Sequence, residues 1–262
     1  MFLLIVGVAS VPVMSPGGPW LGISRLSRRN ACSGFGTALA ALASPTSAAQ
    51  PTSVTDPVSI YFGAGCFWHV QHEFTLHEAA DLERRGVDIT AVSGYAGGTK
   101  LGQKNRVCYH NMQQFADYGR LGHAEAVQVT IPADRVESFA RKYFSLFGTR
   151  GYRHDPQDRG GEYRSVIGLP GGTKSALYQT VAAAAKDSPM QLVAGVGNEE
   201  DTLATKSVVV MDSNAFPFYP AEVYHQFHND FQGPAYGAAY NSLQTTLRKA
   251  GKIDLTGCPD IA

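Results

Sequence analysis

No acidic residue occurs before Asp56, no Cys-x-x-Cys pair occurs anywhere, and no apolar run approaches the roughly 20 residues that a membrane-crossing helix needs. Each absence excludes something. The acid-free start is foreign to a folded domain and suits a targeting segment. Phe2 to Val13 is a mostly apolar run of signal h-region length, and Arg25, Arg28 and Arg29 follow in a Ser/Ala/Gly-rich tract, the composition of a transit peptide. Residues 1–55 are therefore read as a presequence. The two features together predict two-step targeting to an organelle, a plastid ahead of a mitochondrion, with a cytoplasmic or secretory destination as the alternative. Charge of one sign is also lacking. Twenty-two Lys+Arg face 22 Asp+Glu, and no basic run tracks a phosphate backbone, so nucleic acid is not an expected partner. With no membrane-length segment after residue 55, no membrane association is expected of the mature form, and a monomer is expected.

Cysteine is scarce too, at positions 32, 66, 108 and 258, with no zinc-finger spacing. Cys32 leaves with the presequence, and three spread-out thiols fit redox chemistry better than a disulfide scaffold. No repeat and no low-complexity linker interrupts residues 56–262. They read as one α+β domain with a flexible C-terminal tail from about residue 251.

Of the thiols, Cys66 stands in the most informative setting. Ile60, Tyr61 and Phe62 read as a buried strand closed by Gly63 and Gly65, while Phe67, Val70 and Phe74 recur at helical spacing, so a helix starts close to Cys66. Unpaired N–H groups and the helix dipole there favour the thiolate, the reactive form of cysteine. The flanking glycines leave the sulfur approachable, which a packed core cysteine does not need.

Further along, Asp88 to Val92 is expected as a strand running into Ser93-Gly-Tyr95-Ala-Gly-Gly98, a glycine loop presenting a phenol. A long polar loop from Thr99 to Arg120 carries Cys108. His123 to Ile131 alternates as a strand, and Pro132 opens an amphipathic helix to about Phe147. A polar loop bearing Asp158 and Tyr163 leads into a strand from Val166 to Leu169. A helix from about Lys174 to Lys186 and a buried strand from Ser207 to Met211 follow. An amphipathic helix is expected to open at Phe216, with Pro220 near its first turn.

Five motifs then carry a resemblance: Gly65-Cys66-Phe67-Trp68, Gly94-Tyr95-Ala96-Gly97-Gly98, Gly122-His123-Ala124-Glu125, Tyr163-Arg164-Ser165 and Tyr219-Pro-Ala-Glu222-Val-Tyr-His225-Gln226. In this order they are similar to those of the class A peptide methionine sulfoxide reductases, over about residues 59–227. The resemblance implies an α+β two-layer sandwich with a mixed, ferredoxin-like sheet core, long surface loops and the nucleophile at the start of the first helix. It implies Cys66 as nucleophile and Phe67 and Trp68 as the apolar wall for the substrate's methyl group. Tyr95, Asp158 and Tyr163 become the polar catalytic partners, with Glu125 beside the substrate. The expected reaction is thiol-dependent reduction of methionine-S-sulfoxide, free or in proteins, through a sulfenic acid on Cys66. A second thiol condenses with that acid and a thioredoxin-like dithiol reduces the product. Cys258 is the expected resolving thiol, on its mobile tail, and Cys108 its competitor, with a relay through both as a third arrangement.

Two departures matter. The family's usual glutamate before a Val-Cys pair is replaced here, where Lys104-Asn105-Arg106-Val107-Cys108 stands. Three substitutes are open: Tyr95 and Tyr163 with a water held by Asp158, Glu125, or Arg106 as a fixed cation. At Gln71 an acid is usual. The alternative function is a weakened relative that binds oxidised methionine or senses thiol redox state. No cofactor and no metal is called for, since the His69/His72 and His225/His228 pairs lack matching ligands.

Overall fold

In the computed structural model, which describes residues 55–259, the chain opens with β1 (Pro57–Gly63), α1 (Phe67–Asp81), β2 (Val92–Ala96), β3 (Ala124–Pro132), α2 (Val136–Ser145) and β4 (Val166–Leu169). The expected presequence lies outside the described residues. These six elements form a split βαβ pair: β1 lies antiparallel between β3 and β4, and β2 pairs antiparallel with the far side of β3. That is the ferredoxin-like core. It is widened on one side by β6 (Ser207–Asp212) and β5 (Gln191–Ala194), which run parallel to β4, and on the other by the two-residue β7 (Tyr219–Pro220) against β2. The result is a seven-stranded mixed sheet in the order β5-β6-β4-β1-β3-β2-β7, and the fold is α+β.

Alternation along β1 and β3 sorts side chains between the faces. Ile60, Phe62, Val127, Val129 and Ile131 point to the helix layer, where Phe62 stacks on Phe74 of α1 at 4.8 Å and meets Tyr143 of α2 at 5.3 Å. Tyr61 and Ala126 point the other way into a smaller cluster, and the Tyr61 hydroxyl donates to the Phe216 carbonyl. Cys66 thus leaves the end of a central strand and enters α1 within three residues.

Three elements differ from expectation. The strand expected from Asp88 begins only at Val92, because Gly86–Asp88 is a 3-10 turn and the Thr90 N–H and hydroxyl bond to the buried Glu78 carboxylate instead of a ladder. No helix opens at Phe216. Tyr219 and Pro220 pair with Tyr95 and Gly94, and Ala221 N–H donates to the Ser93 carbonyl, so the segment adds an edge strand and then a short 3-10 turn at Val223–His225. Gly94 permits this, since a Cβ there would strike the Tyr219 carbonyl and the Phe218 ring. Helix α3 (Tyr178–Ala185) is shorter than expected, and α4 (Ala238–Lys249) closes the chain before its tail.

Gln71, the second departure, has a clear role. Its amide nitrogen donates to the Ala91 carbonyl and to Gln226 Oε1, and its oxygen accepts from Phe227 N–H. Gln226 in turn bonds Ser93 N–H and the Ser93 and Ala221 carbonyls. A neutral amide offers both donors and an acceptor at a fully buried point, which a carboxylate does not.

Candidate active site

Helix α1 starts with no side-chain cap of its own. Two carboxyls from elsewhere do that work. Cys66 N–H donates to Asp158 Oδ2 at 2.8 Å, and Phe67 N–H donates to Glu125 Oε2 at 2.9 Å. Gly65, at φ +86°, brings the backbone so close that a Cβ would collide with the Asp158 carboxyl. Strand β3 supplies Glu125, and the loop before β4 supplies Asp158 and Tyr163.

The cavity over Cys66 is small, about 50 Å³. Phe67, Trp68 and Phe231 give it apolar walls; Glu125, Asp158, Tyr163, Tyr109, Asp155 and Asp230 give it polar ones. Trp68 meets the Phe231 ring edge-on at 5.0 Å, and buried His225 stands behind Phe67 and Trp68 at 5.3 and 5.7 Å. Burial, with His228 and His110 nearby, drops His225 to about 3, so it is a neutral buttress.

The electrostatics run against one expectation. Burial, reinforced by the Glu125 carboxylate, pushes the Cys66 thiol well above its ordinary value, although the backbone N–H of Trp68 works the other way. The helix terminus favours a thiolate in principle, but its first N–H groups are already spent on Asp158 and Glu125, and desolvation outweighs what remains. Burial also raises Glu125 to about 8, against the stabilising bonds from Phe67 N–H and the Tyr118 hydroxyl. Glu125 is therefore mostly protonated at neutral pH. Asp158 is raised to about 6, again by burial, against its bond from Cys66 N–H.

Of the residues singled out by sequence, Cys66, Phe67, Trp68, Glu125, Asp158 and Tyr163 come together around this cavity. Tyr95 does not line it. Its ring packs on Phe67 and Tyr118, and its fully buried hydroxyl donates to Glu222 Oε2 at 2.8 Å. The phenol beside Tyr163 is Tyr109, whose backbone N–H is held by Glu222 Oε1 and whose ring lies 4.1 Å from His225. Sequence reasoning missed Tyr109, Asp155, Asp230 and Phe231; only the position of Tyr109 next to Cys108 hinted at it.

Arg106 turns away from the cavity. Its guanidinium donates to the Gly257 carbonyl, which removes it as a cation at the substrate oxygen. Nor is the tail loose or Cys258 free. Ile253 is buried in the core, and Cys258 is bonded to Cys108 at a Cα–Cα distance of 5.7 Å, so Cys66 is the one free cysteine among the described residues. The competitors are partners. The bond borders a cavity of about 430 Å³ lined by Arg106, Lys252, Leu255 and Cys258 among others.

The sequence matches the family model described as peptide methionine sulfoxide reductase over residues 58–252. The chain belongs to that family. It is 30% identical over 196 residues to a peptide methionine sulfoxide reductase MsrA of Acinetobacter baumannii, covering 72% of this chain and 91% of that one. It is 28% identical over 176 residues to MsrA 2 of Rhizobium meliloti, covering 67% and 73%. Among solved structures it is similar to methionine sulfoxide reductase A of Corynebacterium diphtheriae (TM-score 0.44, 22% identity, 70% and 81% covered) and to Mxr1 of Saccharomyces cerevisiae in reduced form (TM-score 0.41, 20% identity, 66% and 84% covered).

Proposed function

We propose that this chain reduces the S epimer of methionine sulfoxide at Cys66, with Glu125 as the proton donor. One observation carries the reading: a single free thiol shares a 50 Å³ cavity with an aromatic wall on one side and a largely protonated carboxyl flanked by two phenols on the other. A methyl sulfoxide needs both sides. Its methyl group suits Phe67 and Trp68, and its oxygen must gain a proton before the sulfur accepts a nucleophile. Tyr163 and Tyr109 hold that oxygen; both phenols are raised by burial and stay protonated. Net oxygen transfer leaves methionine and a sulfenic acid on Cys66.

Regeneration is a relay. With the Cys108–Cys258 bond reduced, the Cys108 thiol condenses with the Cys66 sulfenic acid, releasing water and forming a Cys66–Cys108 disulfide. The Cys258 thiol then attacks Cys108 and frees Cys66. The bond left is the one present in this structure, and a thioredoxin-like dithiol reduces it to close the cycle. Tyr109, at the wall of the Cys66 cavity and next in sequence to Cys108, supports this path.

The test is turnover by the purified full chain with dithiothreitol and each sulfoxide epimer separately. Consumption of the S epimer alone is expected. Equal consumption of both epimers overturns the stereochemical assignment. Stoichiometric binding without turnover turns the reading to that of an oxidised-methionine binder, which the raised Cys66 thiol favours.

A further inference from the structure

We propose that His69, His154 and Asp230 form a binding site for a divalent transition-metal ion of the zinc class at the rim of the Cys66 cavity. The three residues come from separate segments: the first turn of α1, the loop before β4 and the loop before α4. The fold brings one ligand atom from each to within 4.8 Å of the others, with His154 Nε2 3.7 Å from Asp230 Oδ2. The Asp230 side chain is only 3% exposed, and Oδ2 accepts no hydrogen bond of normal geometry among the described residues, although the Tyr236 hydroxyl is close enough to interact with the carboxylate, while Oδ1 is used by the N–H of Phe231. A buried carboxylate oxygen without a well-formed hydrogen bond is costly, and a cation satisfies it directly.

Among the described residues neither imidazole forms a hydrogen bond that would occupy its nitrogens; instead the two rings stack face to face, 3.8 Å apart and 7° from parallel. Imidazole lone pairs lie in the ring plane, and parallel planes do not meet, so one ring must tilt for the two to share an ion. His154, 40% exposed, is the one free to do so, while His69 rides on α1. An open cavity of about 360 Å³, lined by both histidines, Glu73, Gln232 and Tyr236, gives the ion a way in. Two imidazoles and one carboxylate suit zinc and its neighbours rather than magnesium or calcium, and leave a position for water.

Two other convergent clusters show the contrast. His110 meets Asp117 and Glu162, but each ring nitrogen already bonds a carboxylate, at 2.9 and 3.2 Å. Cys108, Glu222 and Cys258 also lie close, with their sulfurs bonded to each other. Among the described residues, only the His69 cluster has an unused ligand atom on each of its three members. It adjoins the thiol pocket through Asp230 and through Phe231, which packs on Trp68.

The test uses the untagged full chain carrying Cys32→Ser and Cys66→Ser, so that free thiols do not compete, with zinc chloride as titrant in a calorimeter. One zinc per chain is expected, accompanied by a rise in Tm. His154→Ala and Asp230→Asn should each weaken binding at least tenfold, since even indirect supports of a metal site are worth 10–100-fold. His110→Ala should change nothing. Because His154 is exposed and Asp230→Asn is isosteric, both variants keep the fold. Absence of zinc binding at 0.1 mM, or binding unchanged by both variants, overturns the proposal.

Discussion

The two sulfur sites of this molecule are built on opposite principles. Cys66 sits in a 50 Å³ cavity with four carboxyl groups and no cation on its walls, and its thiol is driven up by burial and by Glu125. The Cys108–Cys258 bond borders a cavity more than eight times larger, where Arg106 and Lys252 flank Cys258. The first suits a small neutral oxide that must be protonated; the second is open enough for a bulky reductant and has cations to favour a departing thiolate. Tyr109 and Glu222 join them, one carboxylate oxygen on the Tyr109 N–H and the other on the Tyr95 hydroxyl. On the proposed mechanism, acceptance of oxygen and exchange with reductant would occupy separate chemical environments, coupled through two residues.

The hardest way to break this comparison is to remove one sulfur site at a time. Cys66→Ser should abolish the first turnover, because an alcohol cannot replace sulfur in attack on a sulfoxide. Cys108→Ser/Cys258→Ser should keep one stoichiometric round and stop thioredoxin-driven cycling, read by rapid quench against steady state. The same double variant should lose about 2–5 kcal/mol of stability in denaturant, since the bond spans 150 residues of sequence. Full cycling without either cysteine would place regeneration at Cys66 alone.

Next in size is Glu125→Gln, which keeps the shape and removes the proton. General acids contribute about 10²–10⁴-fold, and a loss of that order in the single-turnover rate is expected, against a change of less than about threefold for Arg106→Ala. The pH profile fixes the sign. Glu125 must hold its proton while Cys66 loses one, so the wild-type rate should rise with pH and level off above about 8, where acid is lost as fast as thiolate is gained, and the variant should lack that bend. Ionised Glu125 also raises the Cys66 thiol, so Glu125→Gln should shift iodoacetamide labelling of Cys66 to lower pH. An unchanged labelling profile would mean that burial alone sets the thiol.

Much of this was legible in the sequence. The strand into Cys66, the helix after it and the strands at 124–132, 166–169 and 207–212 follow from alternation, helical spacing and glycine punctuation, because there local pattern and burial agree. What was not legible depended on long-range bonds. Thr90 spends its N–H on Glu78, so a strand starts late; Tyr219 and Pro220 find an edge at Gly94, so a helix never forms. At the site, the strand, glycines and helix start around it singled out Cys66, and the family resemblance added Phe67 and Trp68. Burial first, and then the Glu125 carboxylate, turn the expected low thiol into a raised one, and the caps that Asp158 and Glu125 place on α1 join residues 92 and 58 positions apart. No periodicity encodes such a contact. The pairing of Cys108 with Cys258 was equally hidden, since spacing alone does not fix connectivity.

The smallest expected effect separates the two phenols that sequence placed together. The Tyr163 hydroxyl faces the Cys66 cavity and forms no hydrogen bond among the described residues, so Tyr163→Phe should cost little stability and lower the single-turnover rate. The Tyr95 hydroxyl is spent on Glu222, behind Phe67 and away from the cavity lining. Tyr95→Phe removes one donor from a buried carboxylate, a loss of about 1–3 kcal/mol in unfolding free energy. Its effect on single-turnover rate should stay within about threefold, because Glu222 reaches the cavity wall through the Tyr109 backbone rather than by lining it. The two variants should then be additive in log rate, as for residues that do not share a task. If Tyr95→Phe instead slows the first turnover as much as Tyr163→Phe, its hydroxyl must leave Glu222 for the substrate, and the Tyr95–Glu222 bond becomes a switch between the two sulfur sites rather than a strut.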